Sequence, residues 1–107
     1  MEITEITVSI RDEDKLKAFV NVTFDDCFVV RGMKVIKGTS GYFVSMPSRK
    51  MSDGTYRDIA HPITSQFRAK VEKVVLTEYK NALEKEGLPV EEEVLKAIES
   101  VDKMAND

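Results

Sequence analysis

The side chains best suited to chemistry are cationic and sit close together in the chain. Arg49 and Lys50 follow Pro47-Ser48, and Arg57 lies just past the turn signal Asp53-Gly54. A guanidinium grips a phosphate through two nitrogens or reads the edge of guanine in a major groove, whereas lysine and serine make less directional phosphate contacts. With Ser48 and Ser52 alongside, these residues form a candidate anion-contacting set. Arg68 and Lys70 extend it into the segment that follows. Two residues apart on a helix is about 200° of rotation, so those two do not share a face. The competing reading is that the cations are solvated or paired locally with Asp53, Asp58 and Glu72.

Enzymatic chemistry has less to work with. The chain has one histidine, His61, and one cysteine, Cys27, and it lacks the CxxC and HExxH spacings that hold zinc. No GxGxxG or Walker pattern marks a nucleotide site, so no metal, cofactor or catalytic residue is assigned. A cysteine–histidine pair brought together by folding is the one route left open. Cys27, inside a β-rich run, reads instead as a small buried side chain. His61 reads as a residue that pins its turn by bonding a carbonyl or carboxylate, with phosphate or base contact as the alternative. Tyr42, Phe43 and Tyr56 fit either base stacking or a core or subunit interface.

Charge sharpens the polyanion reading. The 107 residues carry a net charge of −3, but unevenly. Residues 1–30 hold three basic and seven acidic side chains (−4), residues 31–80 ten and four (+6), and residues 81–107 three and eight (−5). Only the middle block can attract a polyanion. A chain of this length supports one core without metals or disulfides. It shows neither a secretory leader nor an apolar run near twenty residues, so the expected location is the cytoplasm, with nucleoid association, and no membrane.

The elements that must position the cations follow from periodicity. Ile6, Val8 and Ile10 alternate with polar residues, and Ile3 is out of step, which suggests either a bulge at the strand start or an apolar residue facing outward. After the charged loop 11–15, Leu16, Ala18, Val20, Val22 and Phe24 alternate strictly. Asp25-Asp26 reads as a tight hairpin turn, and residues 27–30 are apolar on both faces, as in a central or doubly covered strand. Gly32 marks a bend, residues 37–41 a glycine-bounded turn, and residues 42–46 a fourth strand. Pro47 exits the sheet, and residues 55–59 give a short further strand before Pro62. Thr64 or Ser65 caps a long helix whose apolar face includes Phe67, Val71, Val75, Tyr79 and Leu83. Gly87 and Pro89 stop it. Past Pro89, Glu91-Glu92-Glu93 opens a shorter helix with Val94, Ile98, Val101 and Ala105 on one stripe. The expected architecture is α+β: a bent antiparallel sheet of four to five strands, a long helix packed on it and a short C-terminal helix. Residues 1–87 form the domain, and 88–107 an acidic helical extension.

The segments FVSMPSRK and DGTYRDIAHPI, together with the FVV of residues 28–30, closely resemble the septation and sporulation regulator family SpoVG, over residues 1 to about 85. The resemblance implies a small sheet-plus-helix homodimer that binds DNA, and in some members RNA, to influence gene expression in septation or sporulation. Carried over, the family's basic element falls on Arg49 and Lys50, with the choice between them as base reader left open. Arg57, Asp58, Ile59, Ala60, His61 and Pro62 form the adjoining block, assigned mostly to holding the arm against the helix. Ser48, Asp58 and His61 support the site, and Arg68 and Lys70 extend its contact surface. The alternative is an adaptor that binds a division-related protein, without nucleic acid, through a strand edge or the terminal helix.

Overall fold

The computed structural model describes residues 1–11 and 13–105. Asp12, part of the expected charged loop, lies outside the described residues, as do Asn106, Asp107 and the Ala105 side chain.

Strict alternation of apolar residues places one face of each strand in the core. β1 (Ile3–Ile10), β2 (Leu16–Phe24), β3 (Phe28–Gly38) and β4 (Gly41–Ser45) pair in that order as an antiparallel meander. Ala18, Val20, Val22 and Phe24 of β2, Met33 and Val35 of β3, and Tyr42 and Val44 of β4 are buried together. The register slips between Ile3 and Glu5, where the out-of-step isoleucine signalled a bulge, and twice along β2. Such a slip bends its strand and increases the local twist. At one of them Gly32, with φ of 87°, sits in the left-handed region that glycine tolerates, and β3 continues through it. Gly32 N–H donates to Asn21 Oδ1 at 3.3 Å.

The Asp25-Asp26 turn works without glycine because both residues adopt positive φ, 50° and 53°, a conformation aspartate accepts better than most. The start of β1 helps hold it there. Asp25 Oδ1 accepts from Glu2 N–H and Asp26 N–H donates to Thr4 Oγ1, each at 2.9 Å.

β3 is central, flanked by β2 and β4, but its first residues are not covered on the second face: Phe28 and Val29 are exposed. Cys27 corrects the expectation of a buried thiol, because it falls in the turn rather than the strand and is exposed. An apolar run read as strand interior extended one residue past the ladder.

α1 (Ser65–Lys85) begins where Thr64 Oγ1 accepts from Phe67 N–H at 3.2 Å, satisfying one of the free amides of the first turn. It ends in a Schellman turn: Leu88 N–H reaches Leu83 C=O at 2.9 Å, Gly87 N–H reaches Glu84 C=O at 3.0 Å, and Gly87 takes φ of 71°. Val71, Val75, Leu76, Tyr79 and Leu83 are buried. Val75 and Leu76 are about 100° apart on the helix, so both are covered only because α1 is enclosed on two sides. The sheet supplies one side, and α2 (Glu92–Ala105) the other. Val94 of α2 is fully buried, with Ile98 and Val101 packed behind it, so these three side chains of the C-terminal stripe are covered within the chain.

Ion pairs tie α2 down. Lys37 Nζ meets Glu91 at 2.9 Å and Glu93 at 3.9 Å, and Lys73 Nζ meets Asp102 at 2.6 Å. The Lys37 bond holds the Glu91 carboxyl below the usual glutamate range, and the same bond raises the Lys37 ammonium. Burial, reinforced by Glu91, pushes the Tyr42 hydroxyl well up. Because Glu91 is depressed in the folded state, its contribution is present above the ordinary value of 4.5 and fades as pH falls through its lowered pKa. Lys37 and Tyr42 are raised, so theirs are present below ordinary values of 10.5 and 10.0 and fade as pH rises past them. Urea midpoints are therefore expected to be flat from about pH 6 to 9 and to drop on either side, with Glu91→Gln flattening part of the acid limb. An acid limb identical in Glu91→Gln would show that this tie contributes nothing.

Candidate nucleic-acid interface

Beyond β4, Pro47 leaves the sheet, and residues 48–58 fold into a separate two-stranded ribbon, β5 (Ser48–Lys50) against β6 (Tyr56–Asp58). The short strand expected over residues 55–59 pairs with the basic segment itself rather than with the meander. Hydrogen bonds close both ends: Ile59 N–H to Pro47 C=O and Met51 N–H to Thr55 C=O, each at 2.7 Å. The tip is fixed by Asp53, whose Oδ1 accepts from Thr55 Oγ1 at 2.6 Å and from Thr55 N–H at 3.0 Å. Those two bonds lower the Asp53 pKa, the hydroxyl contributing most. Gly54, at φ of 90°, completes the turn.

The register brings the cations together. Arg49 lies directly across from Arg57, Lys50 across from Tyr56, and Ser48 across from Asp58, and all six residues are exposed. Cross-strand partners share a face of a ribbon and neighbours along a strand alternate. One face thus presents Arg49 and Arg57, and the other Lys50, Tyr56, Ser48 and Asp58. Among the described residues no ion pair engages Arg49, Lys50 or Arg57. Asp53, one candidate counter-ion, accepts two hydrogen bonds from Thr55 instead. Other cations of the basic block are neutralised instead: Lys37 and Lys73 by α2, and Lys80 by Glu84 at 2.9 Å.

The helix cations are placed differently. Arg68 is half-buried and Lys70 exposed, as expected for residues on different faces of α1. Burial raises the Glu72 pKa, and Arg68 partly offsets it. Lys70 borders an apolar cleft of about 640 Å³ at the open end of the sheet–helix sandwich, where Phe28, Met33, Met46 and Phe67 meet His61 and Ile63. His61 is exposed, with Nδ1 3.0 Å from Pro62 C=O. Ala60, His61 and Pro62 run past the first turns of α1 along this cleft, with Ile63 exposed at its rim and Ile59 exposed just before it. The cleft was not anticipated. Its one sequence signal was the run 27–30, apolar on both faces.

With this geometry in place, comparison with known proteins is decisive. The SpoVG family model matches residues 1–81. The chain belongs to the SpoVG family. Relatives bearing SpoVG and septation in their names include one from Anaeromyxobacter sp. (strain Fw109-5), 49% identical over 89 residues, covering 83% of this chain and 92% of the relative. Another, from Bdellovibrio bacteriovorus, is 51% identical over 87 residues, 81% of each chain. A third, from Lachnospira eligens, is 54% identical over 83 residues, 77% of this chain and 94% of the relative. The SpoVG match takes in the meander, the ribbon and most of α1, and stops short of α2. A SpoVG chain is a small regulator rather than an enzyme. Among the described residues no three His, Cys, Asp or Glu side chains gather into a possible metal site, and no helix is long and apolar enough to cross a membrane.

Proposed function

We propose that the protein is a dimeric nucleic-acid-binding regulator of gene expression, acting in septation or sporulation control. Its β5–β6 ribbon meets the phosphate backbone and a groove of DNA. One observation carries this reading: Arg49 and Arg57 face each other across the ribbon with no acidic partner among the described residues. Like charges directly opposite destabilise a strand pair, so the fold gains nothing from this arrangement until a polyanion arrives. A two-stranded ribbon also has the width to enter a major groove. Lys50 adds backbone attraction from the other face, while Ser48, Asp58 and His61 support the ribbon and its exit. Arg68 and Lys70 widen the contact from the helix, and RNA is a second ligand. The protein acts in the cytoplasm, at the nucleoid, without a cofactor.

Dimerisation has its own support in the apolar cleft and its rim. Met1, Phe28 and Ile63 are exposed around it, a large apolar patch for a solitary subunit. A second copy related by a two-fold axis would cover it and bring two ribbons to one duplex. The same patch favours the adaptor reading, in which a division protein occupies the cleft and no nucleic acid is bound. The terminal helix is the weaker adaptor surface, because Val94, Ile98 and Val101 of its apolar stripe are already packed.

Fluorescence anisotropy of a 20-base-pair duplex, titrated across salt concentrations, separates the two. Six ribbon cations per dimer predict a log–log slope of about −5. A slope near zero, or no binding at low salt, would leave the adaptor reading.

A further inference from the structure

We propose that Tyr56 is a stacking platform for an unpaired base, giving the ribbon a single-strand mode distinct from its duplex contact. The inference rests on the ribbon's contact with nucleic acid proposed above, and names a second ligand form and the residue that selects it.

Tyr56 is 69% exposed on a three-residue strand held at both ends by hydrogen bonds and at its tip by Asp53. Among the described residues its ring has no aromatic or cation–π partner. The ring pairs use Phe24 with Phe67 and Tyr42 with Tyr79, and the cation–π contacts use Phe19 and Tyr42. A large ring presented to water offers a flat surface on a backbone whose ends and tip are already fixed, so only the side chain is left to order on binding.

The two faces differ in what they suit. The Arg49–Arg57 face carries two positive charges and no acid, which fits phosphates. The Tyr56 face balances Lys50 against Asp58. A phosphate there is drawn by Lys50 but also meets the Asp58 carboxylate, whereas a base would meet a ring, a cation and an acceptor for its exocyclic amine. Hydrogen bonds at the pairs Pro47–Ile59 and Met51–Thr55 place Arg49–Arg57 at a hydrogen-bonded site by alternation. Lys50 and Tyr56 therefore occupy the intervening, closer type of pair. In a duplex the base faces are already stacked and the ring has nothing to receive. In a single strand the backbone can follow the arginines while a base turns over the edge onto Tyr56.

The chain provides its own probe. It has no tryptophan and three tyrosines, of which Tyr42 and Tyr79 are buried, so an emission change on binding reports Tyr56. The full-length protein is titrated with dT20, U20 and a 20-base-pair duplex, as wild type, Tyr56→Phe, Tyr56→Ala and Arg49→Ala/Arg57→Ala. Both single strands are expected to quench tyrosine emission in wild type. Tyr56→Phe abolishes the quenching but keeps single-strand affinity, and Tyr56→Ala lowers it roughly 5- to 150-fold while duplex affinity changes less than about twofold. Equal losses on duplex and single strand, unchanged single-strand affinity in Tyr56→Ala, or a Tyr56→Ala change in oligomeric state on sedimentation without selective loss would each overturn the inference. Duplex binding that depends on Arg49 and Arg57 without tyrosine quenching would sink Tyr56 alone. Binding to none of the three ligands would sink the nucleic-acid reading with it.

Discussion

Replacing Arg49, Lys50 and Arg57 together by alanine is expected to lower duplex-DNA affinity by on the order of 10²-fold or more at about 0.1 M salt, with the fold intact. The estimate takes about 1–3 kcal/mol for each bidentate arginine and less for the lysine. Three exposed side chains on short strands contribute little to stability, and separating Arg49 from Arg57 removes a repulsion. The melting temperature should therefore stay level or rise slightly. The salt slope should collapse in parallel with affinity, because each lost phosphate contact removes about 0.9 from it. A control with the same loss of charge is Lys80→Ala/Lys85→Ala/Lys96→Ala. Two of those lysines already face Glu84 and Glu92, and all three lie outside the ribbon, so affinity should change only a few-fold. Equal losses in the two triple variants would mean that total charge, rather than the ribbon, governs binding.

The largest stability effect is expected at Leu76→Ala, a loss of about 2–5 kcal/mol. Leu76 is fully buried on α1, a helix covered by both the sheet and α2, so neighbours held from two directions cannot readily collapse into the space left behind. For a domain of this size such a loss lowers the melting temperature by roughly 10–30 °C, against a total stability of only about 5–15 kcal/mol. Leu95→Ala is the matched control. The side chain is the same type on the adjoining helix, but it is 44% exposed, so the change should be within about 0.5 kcal/mol. Thermal melts of both variants, followed by circular dichroism, check the pair. Similar shifts would mean that α2 does not enclose Leu76 as described.

Much of this architecture is local in origin and was legible residue by residue. The alternation over β2, a hydroxyl cap at Thr64 or Ser65, which the structure gives to Thr64, and Gly87 as stop each reflect interactions within a few residues of themselves. A strand's period and a helix's end are short-range properties, and the sequence carries them directly. Family membership was legible for a related reason, since the SMPSRK and RDIAHPI segments are contiguous. Cys27 was misplaced because residue type cannot distinguish the end of a ladder from the turn beside it.

What needed the tertiary structure was which surfaces end up covered and which charges find partners. Arg49, Lys50 and Arg57 were visible as a cationic group, but only the register of β5 on β6 sets Arg49 opposite Arg57 and turns Lys50 toward Tyr56. Asp53 and Asp58 looked like equally available counter-ions until Thr55 occupied the first and the pairing set the second opposite Ser48. Lys37 and Lys73 belonged to the same basic block, yet they lie against an acidic helix far along the chain. Composition and periodicity determine how much charge and apolar surface a chain carries and at what spacing. Coulombic and packing energies depend on distance in space, so the fold alone decides what remains exposed to a partner.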